Sequence, residues 1–306
     1  MLTPWLIRGC ALAKNKTAKV KKPAKNSNLS EALHRFRSYR LAIVGVVVIS
    51  LVTLMAIFAD ILAPQGPEFI DLESVRQPPG NGHFLGTDDV GRDVWARVAF
   101  GARTSMIVGV GAVAVALSIG ITVGLISGFL GKWADTILMR ITDGFMSVPS
   151  LILIIIFIAI VGPSLANVIF VIALATWPTS ARVVRGQVLA LREQEFITAA
   201  KVIGVRTPTI LKNHILPNLL GPLSVVATFG IAGAILTEAG LSFLGLGVRP
   251  PISSWGQMVN LAQQSQILLA EPWIYVPSGV MIVVTVLAVN FIGDGLRKAV
   301  DPKSVR

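Results

Sequence analysis

Asp88, Asp89, Arg92 and Asp93 crowd four charges into a short stretch of an otherwise oily chain. Three acids at this spacing could hold a divalent cation through their oxygens. Arg92, set among them, puts a positive charge where the cation would sit, so the pattern favours mixed-sign ion pairs over a metal. Exposed pairs of this kind contribute about 0–1 kcal/mol each. Gly86 and Gly91 flank the cluster, and Thr87 is predicted to cap a short helix. Glu238 is a lone acid near the end of an apolar run, where a charge is costly and often functional. It is expected either to line a transport path or to cap and solvate a helix end. His34, His83 and His214 lie far apart, which argues against a histidine metal cage, and a single cysteine, Cys10, leaves no internal disulfide. No Gly-x-x-x-x-Gly-Lys-Ser/Thr phosphate loop occurs, so the chain does not bind ATP in that way. No Ser/His or acid pair falls at matching depth in two apolar runs, which argues against an intramembrane hydrolase. No cofactor is expected.

Residues 194–218 form a polar, basic island between apolar runs. Glu195, Thr198, Ala199 and Ala200 fall in a predicted short helix. Gly204 ends it, because glycine takes left-handed backbone angles without steric cost. A second helix is predicted over residues 206–214, with Pro208 in its first turn, where a missing N–H is harmless. His214 closes that helix, and Leu216 and Pro217 open the next apolar run. A helix–glycine–helix elbow at a membrane surface suits contact with a soluble partner.

Hydropathy sets the elements that must position these groups. The chain is 53% hydrophobic and 14% charged, against about 25% charge in a soluble domain. A span needs about 20 apolar residues, and six are predicted, over residues 41–63, 104–128, 137–161, 165–184, 216–241 and 273–293. The uncharged run 144–181 would be about 57 Å long as one helix, far beyond a hydrocarbon core of about 30 Å. Gly162-Pro163 is therefore predicted to break it. Gly109, Gly111, Gly120, Gly124 and Gly128 in the second span would let neighbouring helices approach closely. Residues 64–103 carry ten charges and leave the membrane. Arg140 and Asp143, and likewise Asp294 and Arg297, stand three apart and are predicted to pair.

Residues 1–40 read as a basic, flexible tail with a membrane-surface role, ending in a short interfacial helix over 30–40. Arg8 interrupts the apolar opening, against a signal peptide. With the N-terminus inside, the inner segments hold 22 Lys/Arg and the outer ones five, so the N-in, C-in orientation is predicted. The net charge of +11 follows this topology and has no aromatic interleaving, which points to a lipid membrane as the partner and away from nucleic acid.

The elbow resembles the coupling loop of ABC importer permeases, with the pattern Glu-Ala-Ala, three residues, Gly, nine residues, Ile-x-Leu-Pro. Ala199, Ala200, Gly204, Leu216 and Pro217 fall on it in register; Thr198 replaces the Glu and His214 the Ile. The stretch from Leu85 through Asp93 to Ser105, the Asp135–Asp143 stretch, the Leu236–Pro251 stretch with Ser254-Trp-Gly, and Asn290–Pro302 are similar to the dipeptide, oligopeptide and nickel branch of that family. The resemblance implies an all-α, six-helix type I importer fold in the cytoplasmic membrane of a prokaryote. It implies four parts: the tail 1–40, a first helix with an extracytoplasmic segment over 41–100, a five-helix transport domain over 101–296, and a C-terminal tail over 297–306. It also implies a paralogous second permease, two separate ATP-binding subunits that hydrolyse ATP, and an extracytoplasmic binding protein. Peptide is the implied cargo, with nickel or glutathione as the alternative. A proton-coupled carrier or channel is the rival of another class; it wants ionisable groups within the spans, and the runs hold almost none.

The basic bias makes a direct prediction. A single cysteine at Ser74 should react with a membrane-impermeant label in intact cells; labelling only after the cells are opened would invert the topology.

Overall fold

The computed structural model describes residues 27–80 and 82–300; the expectations for tail residues 1–26 and for 301–306 lie outside these. The described residues are mostly helical. α1 (Ser27–Ser38) and α2 (Arg40–Ile57) are parted at Tyr39, whose extended backbone interrupts the helix. α3 (Ala59–Leu62) is a single turn, followed by an irregular segment to residue 93. α4 (Val94–Leu130) is one helix of 37 residues, capped by the Asp93 carboxylate, which accepts from the Ala96 amide at 2.8 Å. It begins ten residues before the predicted span, so Arg97 and Arg103 lie inside it.

α5 (Lys132–Met146) and α6 (Ser150–Val161) meet at an angle of 85°. The single span predicted over 137–161 is thus a bent pair. Pro149 at the joint explains the bend, since proline disfavours a helical residue before it and supplies no amide hydrogen. Gly162, at φ 81°, ends α6 as predicted. α7 (Leu165–Arg192) follows, capped by Ser164. α8 (Glu195–Val202) and α9 (Thr207–Ile210) form the elbow. A π-helical turn at Leu211–Ile215 joins α9 to α10 (Leu216–Phe243) with no break. Pro217 cannot donate to the preceding turn, and its ring crowds the carbonyl four residues back. The widened turn just before it absorbs that conflict. α11 (Trp255–Asn260), α12 (Ser265–Ala270) and α13 (Val276–Val300) complete the chain.

Among the described residues, five helical segments are long and apolar enough to cross a membrane, and the bent pair would make a sixth. α4 and α7 form the most extensive helix pair, α10 and α13 the next, and α2 lies on α13. The glycine expectation holds at this seam. A Cβ on Gly120, Gly124 or Gly128 would lie 2.6–2.8 Å from Ser180, Val184 or Val188, so only hydrogen fits. Gly109 is placed likewise against Ile235, at 2.9 Å. The α4 glycines bring α7 to near-backbone distance, the arrangement by which helices associate when water gives no driving force between them.

Gly124→Leu should push α7 away from α4. Overpacking of this kind costs about 1–3 kcal/mol, read as a lowered melting temperature of the purified protein. Gly144→Leu, with nothing within 4 Å of its Cβ, should melt like the parent chain.

Candidate functional site

At one end of the bundle the elbow has two faces. Ile197, Ala200, Ile210 and Ile215 turn inward and are buried on Val184 and Val188 of α7 and on Leu219 and Leu223 of α10. Phe196, Val202 and Ile203 turn outward, the last two 81% and 78% exposed. The Ala-Ala pair is split between these faces: Ala200 is buried and Ala199 is exposed. Glu195 and Thr198 are exposed; Thr198 donates weakly to the Gln194 carbonyl at 3.4 Å. Gly204 has φ +80°, and its amide donates to the Lys201 carbonyl while the Val205 amide donates to Ala200. A side chain there would meet nothing within 4 Å, so glycine is needed for the backbone angle and not for space. His214 leans on Phe196, with ring centroids 6.5 Å apart, Leu216 is half-buried and Pro217 is exposed.

Ion pairs brace this end. Arg185 of α7 grips Asp135 of α5 through two hydrogen bonds of 2.6 and 2.7 Å. Arg182 pairs with Asp143 at 2.6 Å. The predicted Arg140–Asp143 pair does not form, because the guanidinium of a neighbouring helix reaches the carboxylate directly. Asp294 and Arg297 are also unpaired with each other. Arg192 donates to the Gly128 carbonyl at 3.0 Å, tying the end of α7 to α4.

At the other end, the charged cluster is a structural knot. Asp88 accepts from the Val90 and Arg92 amides, from the Arg92 guanidinium at 2.7 Å, and from Arg97. Arg97 is 2% exposed and also donates to Gln257 of α11 at 3.2 Å. Arg92 lies 3.7 Å from Asp89. Asp93 meets His83 Nδ1 at 2.8 Å while capping α4. Thr87 is not the cap: it is buried, accepts from the Gln77 amide and donates to the Ser74 carbonyl. Its hydroxyl is therefore occupied in holding two turns of the irregular segment together. Gly86 and Gly91 both have positive φ, and a Cβ would lie 2.4 Å from the Gln77 carbonyl and 1.9 Å from that of Asp71. The Ser74 hydroxyl and Glu73 amide that Asp71 accepts from hold its carboxyl below the usual range. Among the described residues no three His, Cys, Asp or Glu side chains are grouped to hold a metal.

The same knot seats α11. Trp255 is fully buried and donates to the Val98 carbonyl at 3.0 Å, and Ser253 donates to that of Arg97. Glu238 is buried between α10 and α11, where the Ser242 hydroxyl donates to it at 2.7 Å and Ser254 lies 3.5 Å from Ser242. Being fully buried, it does not solvate a helix end. Ser254 and Trp255, within the Ser254-Trp-Gly stretch that carries the family resemblance, belong to this end, as do Arg97 and Gln257, to which sequence reasoning gave no role; Arg97 lies within the similar Leu85–Ser105 stretch.

Between α4, α7 and α10, midway along the bundle, lies a cavity of about 420 Å³. Its wall carries hydroxyls of Thr176, Thr179, Ser180 and Thr237 among apolar side chains, and no ionisable group.

Comparison with known proteins places these features. Residues 120–306 match the family described as binding-protein-dependent transport system inner membrane component. Residues 27–79 match the N-terminal transmembrane domain of oligopeptide transport permease C. The chain is 44% identical over 273 residues to a dipeptide transport system permease protein, DppC, of Alkalihalophilus pseudofirmus, covering 89% of each chain. It is 42% identical over 274 residues to the oligopeptide transport system permease protein OppC of Bacillus subtilis, again covering 89% of each. A glutathione transport system permease protein of Pectobacterium atrosepticum is 38% identical, over 89% of this chain and 90% of that one. In fold, an inward-facing conformation of the MetNI methionine ABC transporter is similar with a TM-score of 0.50 at 22% identity, over 67% of this chain and 94% of that chain. The chain thus belongs to the binding-protein-dependent transport system inner membrane components: it is a multi-pass inner-membrane permease subunit of an ABC importer, with the type I fold.

Proposed function

We propose that this permease is one of two paralogous membrane subunits of an importer that carries dipeptides or short oligopeptides inward at the expense of ATP. Two separate ATP-binding subunits would dock on the elbow, and an extracytoplasmic binding protein would deliver the cargo. The observation that carries this reading is the two-faced elbow. Phe196, Val202 and Ile203 are exposed apolar side chains on a basic loop, which suits burial against a soluble partner. The absence of a phosphate loop from this sequence fits ATP binding by separate subunits. Peptide is the cargo that the names of the DppC and OppC relatives suggest. Glutathione, itself a short peptide, is the second reading, on the strength of the Pectobacterium relative.

The mechanism follows from how the elbow is held. ATP binding would draw the ATP-binding subunits together and displace the elbow. Its inward face is bolted to α7 and α10, and α9 runs without interruption into α10. Displacement therefore tilts whole helices and exchanges the inward- and outward-open states. ATP can drive this only by binding the two states with different affinity.

Two measurements test the docking. With Cys10→Ser, single cysteines over residues 198–207 should crosslink to cysteines on the ATP-binding subunits. Crosslinking from Asp135 and from none of that window would place the coupling surface elsewhere. Gly204→Val forces a left-handed angle on a side-chain-bearing residue, at about 1–2 kcal/mol, or about tenfold in docking. Inserted protein with about tenfold weaker ATP-driven uptake is expected, and unchanged uptake would remove the glycine's mechanical role.

A further inference from the structure

We propose that the cavity between α4, α7 and α10 is this chain's wall of the peptide path, and that it recognises the peptide backbone while ignoring side-chain charge. The inference rests on the importer reading and adds to it the residues and the chemistry of the path. A cavity of about 420 Å³ falls in the range of about 300–1,000 Å³ typical of small-ligand sites. Such sites are mostly apolar, with a few convergent polar groups, and lie between helices in bundles.

The hydroxyls define the chemistry. Thr176 donates its hydrogen to the Ile172 carbonyl at 2.8 Å, and Thr237 donates to that of Gly233 at 2.8 Å. Each donor is spent within its own helix, so what each offers to the cavity is oxygen lone pairs. Thr179 is exposed one turn beyond Thr176 on α7, and Ser180 lies beside it. Thr176 and Thr237 thus present acceptors from opposed helices, which fit the N–H groups of an extended peptide, groups that every peptide carries whatever its side chains.

Charge is kept out of the wall. Glu238, the neighbour of Thr237, is turned into the α10–α11 seam against Ser242. Arg182, the neighbour of Ala181 and Val183, is tied to Asp143. In a low-dielectric setting a fixed charge would hold cargo of opposite sign and repel cargo of the same sign, and a path without one treats acidic, basic and neutral peptides alike. Gly233 makes the room: a Cβ there meets nothing within 4 Å, so its missing side chain leaves space in the cavity and not in the core.

The test is ATP-driven uptake by the assembled transporter in proteoliposomes, with saturating binding protein loaded with a neutral, an acidic or a basic dipeptide. The parent chain should carry all three at similar rates. Gly233→Trp should assemble and melt normally yet stop all three. Thr237→Asp and, independently, Thr179→Asp should slow the acidic peptide relative to the neutral one by about tenfold, as a charge about 10 Å away at an effective dielectric near 20 would. Unimpaired uptake by Gly233→Trp would overturn the inference. So would equal effects of both aspartates on all three peptides, which would assign the cavity to a lipid chain or a helix of the second permease. Failure of the parent chain to carry any peptide would instead remove the peptide reading, and this inference with it.

Discussion

Val184 and Val188 of α7 join the elbow to the helical frame. On one side they press against Gly124 and Gly128 of α4, where a Cβ would lie within 2.6–2.8 Å. On the other they receive Ile197, Ala200, Ile210 and Ile215 of the elbow. Each contact constrains the next. If α4 carried larger residues, α7 would move outward and the elbow would lose its seat. If the elbow were seated less deeply, a push on it would bend a loop instead of tilting helices. Burying an aliphatic side chain such as Ile197 stabilises by about 1.5–3 kcal/mol, so Ile197, Ile210 and Ile215 hold the elbow firmly, with Ala200 packed among them.

The opposite end obeys a different constraint. Here a charged network is buried, and its worth lies in position more than in net stability. A buried ion pair contributes little against an apolar substitute, yet removing one partner costs about 3–5 kcal/mol because the other charge is left alone. Asp88, accepting from both Arg92 and Arg97, welds the irregular segment to α4, and Arg97 carries the link to Gln257 of α11. Trp255 and Ser254 then fix α11 to α4 and face it toward α10. The far ends of α4 and α10 are thus joined through α11, while the cavity between their middles remains open. One end carries the two-faced elbow, the other keeps the helices in register, and the uncharged wall lies between them.

What was legible in the sequence was local. The break at Gly162, the left-handed Gly204 and the small-residue face of α4 each follow from one residue's backbone freedom or size, and the structure has them. Apolar run lengths placed five of the spans and hid the bend in the one predicted over 137–161. What was not legible depended on residues distant in the chain. Asp143 chose Arg182 over Arg140, 39 positions away against three, because a facing helix offered better geometry than the same helix. Thr87 yielded the cap to Asp93 because its hydroxyl had buried carbonyl and amide partners across the segment. Glu238 was open to two readings by depth alone, a path residue or a helix-end group; its burial against Ser242 depends on α11, which arrives 17 residues later with Trp255. The two halves of the elbow showed in the sequence; which alanine faced in and which faced out did not.

The central claim is that the elbow and α10 move as one rigid body. It is tested most directly by spin labels at Thr198 and Leu236, both exposed, in the assembled transporter with Cys10→Ser. The distance between them, measured by pulsed electron resonance without nucleotide and with ATP trapped, should be the same in both states, while the distance from Thr198 to a label on the second permease changes. A Thr198–Leu236 distance that shifts on ATP trapping would show the elbow flexing on its seat, and would contradict the account.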